Sequence, residues 1–497
     1  MSNSESVSSS AYPSKVPLSL KFIYGIGAAA ESIIGVAFNA FNFFFYTNIM
    51  GVPGTLAGLA ITIALFFDAV TDPLVGSISD RWRAKLGRRH PFMLAAPLPV
   101  MLCLFFIYSP PESLESFGLF LWLTVLTVLM RSSMTLFHVP HLALGAELSA
   151  DFTERTRVMS INTLLGVIGG FGFAFVAYGF FFAATPEFEN GMLNRDAYYT
   201  LAISAALVGG LIMVASTVFT MQVIPRLPVP PLDLPRISLK ALLKDCLSVF
   251  SNRNYLALLG GLVLLSATVG IRETIGLHMN TYFWELLPSQ IRYLVLFGVL
   301  SSIVGFVATA RLHERFDKKP VLVGALVVTI ISVTSPVILR MLGLFPENDS
   351  PLLLPCLLAF HVVSISAVLI GIISAMSALA DIADEQELST GLRQEGVFYA
   401  ARSFFGKASS GIGHLLAGIA IDVINFPVGA EPGSVPEETI FYLGLVEGPI
   451  AIIPGCIAIV FYMKYNLTRK KHAEIQALLK EKHQSKQSLD PLLSVQV

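Results

Sequence analysis

Long apolar runs separated by short polar breaks fill the chain from residue 18 to residue 466. A helical membrane span needs about 20 mostly apolar residues. Twelve stretches meet that need: 18–48, 54–79, 91–109, 117–147, 158–184, 198–224, 255–284, 290–312, 320–345, 352–381, 397–424 and 440–466. Each is apolar throughout instead of alternating with period two, which excludes the strands of a membrane barrel. The pattern predicts an all-α membrane protein with twelve transmembrane helices.

The polar breaks set the orientation, because cytoplasmic connections retain Lys and Arg. The 2–3 connection holds Arg81, Arg83, Lys85, Arg88 and Arg89, and the 4–5 connection Arg155 and Arg157. Arg315, Lys318 and Lys319 occupy the 8–9 connection, and Arg469, Lys470 and Lys471 follow the last span. The opposite connections carry little base beyond Arg195 and Arg292. Both termini are expected in the cytoplasm and the protein in the plasma (inner) membrane.

Between the sixth and seventh spans, "PRLPVPPLDLPRISLKALLKDCLSVFSNRN" starts too rich in Pro for helix, then mixes Leu, Ile and Val with Lys and Arg at helical spacing. That spacing predicts a short amphipathic helix on the membrane surface. The halves on either side echo each other: "DRWRAKLGRRHP" after span two matches "HERFDKKP" after span eight. Two pseudo-symmetric six-helix halves are the layout of the major facilitator fold. The expected division is 1–17 cytoplasmic segment, 18–224 first half, 225–254 linker, 255–466 second half and 467–497 cytoplasmic tail.

Composition narrows the class further. Of 497 residues 54% are hydrophobic and 13% charged, where soluble proteins carry about 25% charged. The formal net charge of −1 gives no basic footprint for nucleic acid. Cys103, Cys246, Cys356 and Cys456 are scattered without metal spacing and read as small hydrophobes. Residues 1–14 are polar and Ser-rich, and the first apolar run is too long for a cleavable signal. No phosphate loop, HExxH, nucleophile elbow or dinucleotide fingerprint points to an enzyme.

Against this apolar background, charges at membrane depth cost about 2.5–3.5 kcal/mol each and demand a reason. Asp68 and Asp72 lie one helical turn apart in "FFDAVTDPLVG". At about 1.5 Å per residue, Asp68 lies about twelve residues from the cytoplasmic end of span two, and Lys407 about eleven from that end of span eleven. Glu31 in span one and Arg131 in "VLMRSSMTLFHVPHLAL" fall at comparable depth, and His138 shares a helix face with Arg131. Three carboxylates against Arg131 and Lys407 leave one negative charge, which in low dielectric takes a cation or a proton. Asp68 and Asp72 are therefore the candidate cation ligands.

The same residues carry a family resemblance. "FFDAVTDPLVG…SDRWRAKLGRRHP" resembles the helix-two signature of the glycoside–pentoside–hexuronide:cation symporters, the melibiose-permease-like branch of the major facilitator superfamily. "VPHLALGAELSADFTERTR" and "ADIADEQELSTGLRQEGVFYAARSFFGKASSGIG" are similar to that family's helix-four end and its helix 10–11 segment. The resemblance implies that Asp68 and Asp72 bind the cation and that Lys407 balances them when it is absent. The chain also departs from the pattern. His138 replaces a third cation-site aspartate, and Ser32 and Thr163 stand where melibiose permease grips its sugar with an aspartate and an arginine. The "FHVP" stretch resembles sodium-dependent lysophosphatidylcholine symporters of the same branch.

Other clusters admit two readings. "HVPH" offers two histidines but no third ligand, and Pro140 is expected to disrupt the helix there, so no metal site is assigned. Arg272 either holds an anionic substrate group or bridges to a neighbouring helix. Asp381, Asp384, Glu385 and Glu387 suggest either a cytoplasmic gate that exchanges ion pairs with Arg81, Arg88, Arg155 or Arg157 between transport states, or a solvated loop. The resulting expectation is a monomeric symporter coupled to Na+ or H+ that imports a sugar- or glycoside-like solute. Glu31, Ser32, Arg131, Thr163 and Arg272 are its candidate substrate contacts, and Lys407 and His138 its coupling residues. No cofactor beyond the coupling ion is expected; the partners are the solute, a monovalent cation and the lipid bilayer. A lysophospholipid carrier and a non-transporting sensor of the same fold are the alternatives.

Overall fold

The computed structural model describes residues 15–227, 249–391 and 395–489. Among them, twelve helices are long and apolar enough to cross a membrane. These are α1 (Leu18–Ile49), α2 (Gly54–Arg81), α3 (His90–Ile107), α4 (Ser116–Glu147), α5 (Thr153–Phe181) and α6 (Arg195–Arg226). The second set is α7 (Arg253–Phe283), α8 (Pro288–Arg315), α9 (Lys318–Met341), α10 (Leu353–Thr390), α11 (Gly396–Val423) and α12 (Glu437–Lys464). A polar helix, α13 (Arg469–Leu489), follows. The amphipathic helix expected in 225–254 falls largely on residues outside those described.

Local chemistry explains several boundaries. Asp151 accepts from the Glu154 N–H at 2.7 Å and caps the start of α5, and Asn252 accepts from the Tyr255 N–H at 3.0 Å at the start of α7. One expectation fails here: Pro140 does not break α4, which runs through it, as α2 runs through Pro73 and α9 through Pro336. Inside a bilayer no water can satisfy a broken backbone ladder, so the helix is retained around a proline that would end it in water.

The chain forms two compact units. The first contains the described residues up to 227 together with Asn280–Val295 and Ala417–Val435. The second contains residues 249–279, Leu296–Leu416 and 436–489. In the first unit α1 packs on α5 and α6, α2 on α4, and α3 on α4 and α6. In the second, α7 packs on α10 and α12, and α9 on α10 and α12. The pairs α1–α6, α3–α4 and α3–α6 thus recur as α7–α12, α9–α10 and α9–α12, the internal repeat of a major facilitator fold.

Small residues set the closest approach. A Cβ on Gly169 of α5 would lie 2.7 Å from the Ala29 backbone of α1, and such contacts bring membrane helices together where no hydrophobic drive exists. Large apolar side chains such as Phe117, Phe180, Leu211 and Phe306 are exposed, as surfaces solvated by lipid allow. Arg469, at the start of α13, donates to the carbonyls of His313, Glu314 and Phe316 at the end of α8, satisfying acceptors that a helix end leaves open.

Candidate functional site

Two polar clusters lie within the membrane-length helices of the first unit. The first joins α2 to α4. Arg131 donates through Nη1 to Asp68 Oδ2 at 3.2 Å and through Nη2 to Asn39 Oδ1 at 3.3 Å. Thr135, one turn along α4, lies with its hydroxyl 3.0 Å from Asp68 Oδ1 and 3.0 Å from Asp72 Oδ1. The same hydroxyl is 3.2 Å from the carbonyl of Arg131. A threonine hydroxyl has a single proton to give, and here three acceptors compete for it. Two carboxylate oxygens converging on one hydroxyl are satisfied when a proton or a small cation joins them. Asp68 is buried, whereas Asp72 is half-buried, so the centre has one closed and one open side.

The second cluster joins α1 to α4. Glu31 places Oε2 at 2.6 Å from His138 Nδ1 and Oε1 at 3.3 Å from His141 Nδ1. His141 is buried between the rings of Tyr24, at 4.3 Å, and Phe137, at 5.1 Å between centroids. Its Nε2 lies 3.0 Å from the Tyr24 carbonyl. The sequence-derived charges therefore sort into two groups on one α4 face, Arg131 and Thr135 with the aspartates and the histidines with Glu31.

A family model described as MFS/sugar transport protein matches residues 23–469. The chain belongs to that family. It is accordingly an integral, multi-pass membrane protein. Family members with similar sequences include an uncharacterized symporter, YnaJ, of Bacillus subtilis, 24% identical over 92% of this chain and 94% of that one. A putative glycoside/cation symporter of Escherichia coli, YagG, is 21% identical over 94% and 95% of the two chains. A sodium-dependent lysophosphatidylcholine symporter of Mus musculus is 22% identical over 93% and 88%. Among solved structures, the nucleoside transporter NupG superposes with a TM-score of 0.62 at 14% identity, covering 90% of this chain and 99% of that one.

The remaining candidates are dispersed. Ser32 lies on the side of α1 that meets Gly166 and Gly170 of α5, and Thr163 is exposed on α5. Lys407 belongs to α11, in the second unit. Arg272 of α7 pairs with Glu447 of α12 at 2.6 Å, both within the second unit. Arg81 ends α2 half-buried, and Arg88 pairs with Glu147 at 2.8 Å. Asp381 is held by Lys318 at 2.6 Å, and Asp384 by His472 of α13 at 3.0 Å.

Several contacts of these polar clusters and their surroundings escape inspection of the sequence. Thr135 is one; its only signal is its place midway between Arg131 and His138 on one helical face. Arg89 is another: it is buried and donates to Ser79 Oγ at 2.7 Å and to Glu147 at 2.7 Å, with Asp80 at 2.5 Å. Within a run of five basic residues nothing in the sequence distinguishes it from its neighbours.

Proposed function

We propose that the protein is a cation-coupled symporter that draws a small, hydroxyl-rich organic solute into the cell, and that Asp68 and Asp72 hold the coupling ion. The observation that carries this reading is the Thr135 hydroxyl between two intramembrane carboxylates with Arg131 beside them. Cation binding there joins the two acids; cation release returns Asp68 to Arg131. A carrier that changes state only when empty or fully loaded couples the two fluxes, since each ligand shifts the equilibrium by its differential affinity. The Lys and Arg of the 2–3, 4–5 and 8–9 connections support cytoplasmic termini, and an inward cation gradient coupled in symport then drives uptake.

Similarity to a protein named as a putative glycoside/cation symporter supports a sugar-like solute. Ser32 and Thr163 provide uncharged hydroxyls for it, and Arg131 and Glu31 the polar floor. A lysophospholipid is the second reading, favoured by the similarity to a sodium-dependent lysophosphatidylcholine symporter. Uptake into vesicles under a sodium gradient, and separately under a pH gradient, tests the symporter reading against a broad solute panel. No gradient-driven accumulation of any solute would leave a non-transporting sensor in its place. Displacement of a bound fluorescent lysolipid by lysolipids, and not by millimolar sugars, would replace the glycoside reading with the lipid one.

A further inference from the structure

The pairing of His141 with Glu31 fixes where hydrogens can be. A backbone carbonyl only accepts, so the ring nitrogen facing the Tyr24 carbonyl at 3.0 Å, Nε2, carries a hydrogen. In a neutral imidazole that leaves Nδ1 as a bare lone pair. Nδ1 faces Glu31 Oε1 at 3.3 Å. An ionised carboxylate would turn a second lone pair toward it, with no hydrogen between. Among the described residues Glu31 Oε1 is buried and has no hydrogen-bond partner. His141 cannot turn away, because it is enclosed by Tyr24 and Phe137 and sits against Gly27, where a Cβ would come within 2.6 Å of Nε2.

We propose that Glu31, His141 and His138 form a proton-binding site, distinct from the Asp68–Asp72 centre, in which one added proton is shared between Glu31 Oε1 and His141 Nδ1. The proton arrives from water and sits either on Glu31, which then donates to Nδ1, or on His141 as imidazolium beside the carboxylate. No bond other than this N–H or O–H forms or breaks. His138 is the route by which it exchanges: its Nδ1 is 2.6 Å from Glu31 Oε2, and its side chain is 45% exposed where that of His141 is 1% exposed.

Among the described residues, the following groups face the pair from the elements packed around it. From α1 the pair is faced by the Tyr24 ring, and from α4 by His138. From α6 comes the Ser216 hydroxyl, 3.4 Å from the Tyr24 carbonyl. The α5 helix keeps Glu154, Arg155 and Arg157 in its first two turns, and residues 158–177 hold no ionisable group. Arg131 and Asp68, further along α4 and on α2, are paired with each other. Loss of the shared proton sets two lone pairs against each other in a buried contact between α1 and α4, so protonation state and the α1–α4 contact are linked. That link's part in transport rests on the symporter reading; the proton site itself does not.

The experiment is a pH titration of the purified full-length protein in nanodiscs, followed by infrared difference spectroscopy and by proton uptake. The carbonyl-stretch band of a protonated carboxyl, or the imidazolium bands in its place, should titrate with one proton per chain. Glu31→Gln, which keeps the shape, should remove that proton and its band; His141→Gln should do the same if it folds, and Asp68→Asn should leave both. Identical titrations for the parent protein and Glu31→Gln would overturn the site, and loss of the signal in Asp68→Asn would overturn its separateness. Vesicle uptake is measured alongside. Failure of every gradient to drive uptake sinks the symporter reading without touching the titration.

Discussion

Asp422 spreads its carboxylate across the first turn of α2, Oδ1 accepting from the Gly54 N–H at 2.6 Å and Oδ2 from the Thr55 N–H at 2.8 Å. A helix start presents unpaired amides and the positive end of its dipole, so an anionic cap there contributes about 0.5–2 kcal/mol. The approach depends on two glycines: a Cβ on Gly418 would lie 2.1 Å from the Gly54 carbonyl oxygen. Tyr282 ties the same patch, accepting from Asn48 at 3.0 Å and donating to the Ala430 carbonyl at 3.0 Å. These contacts tie the ends of α7 and α11 to the end of α1 and the start of α2, so they are the natural latch for a carrier that opens at this end, which the proposed orientation places outside.

Asp422→Ala should therefore bias the carrier toward opening there. The reporter is Val52→Cys, at a position only 2% exposed beside the patch, in a background with the native cysteines replaced. Labelling by a membrane-impermeant maleimide from the outside should become several-fold faster in Asp422→Ala. Equal rates would mean that the cap is not a latch.

At the proposed cation centre, Thr135→Val keeps the side-chain shape and removes the hydroxyl shared by Asp68 and Asp72. Hydrogen bonds to charged groups contribute about 1.5–3 kcal/mol, so half-maximal uptake should need at least about tenfold more cation. Thr135→Ser should behave as the parent protein, while Asp68→Asn and Asp72→Asn should lose uphill uptake and still insert. An unchanged cation dependence in Thr135→Val would remove Thr135 from the centre.

The spans were legible because an uninterrupted apolar run of some twenty residues has few other structures open to it. Arg131 and Asp68 could be brought to one depth by counting helical rise, since each lies on an unbroken helix. Thr135 could not. Hydroxyls in these helices mostly bond the carbonyl four residues back, as Thr62 does to Gly58, Thr124 to Phe120 and Ser133 to Leu129. Only the packing of α2 on α4 distinguishes the one that also reaches two acids. Asp422 was hidden for a different reason: its partners, Gly54 and Thr55, are backbone amides far away in the chain, and no side-chain pattern marks a backbone donor.

The sequence allows Arg272 to be either a substrate contact or a bridge, and its 2.6 Å pairing with buried Glu447 predicts how a mutant will behave. Arg272→Gln strands that carboxylate, and breaking one partner of a buried pair costs about 3–5 kcal/mol. A lower thermal-inactivation midpoint is expected, with much of the loss recovered in the Arg272→Gln, Glu447→Gln double variant. A raised KM for solute with an unchanged midpoint would instead make Arg272 a substrate contact.

Arg131 gives the opposite case, a pairing whose loss should tighten a ligand. Its guanidinium lies 3.2 Å from Asp68 and so competes with any cation for that carboxylate. Opposite charges about 4 Å apart in an effective dielectric of about 20 attract by about 4 kcal/mol. If only a third of that opposes the incoming ion, removing it strengthens cation binding about tenfold. Arg131→Gln should thus bind the coupling cation about tenfold more tightly by calorimetry yet turn over more slowly, because release is no longer helped by the returning guanidinium. Arg131→Lys, which keeps the charge but cannot span both Asp68 and Asn39, should fall between. Weaker cation binding in Arg131→Gln would show that the arginine builds the centre instead of competing for it.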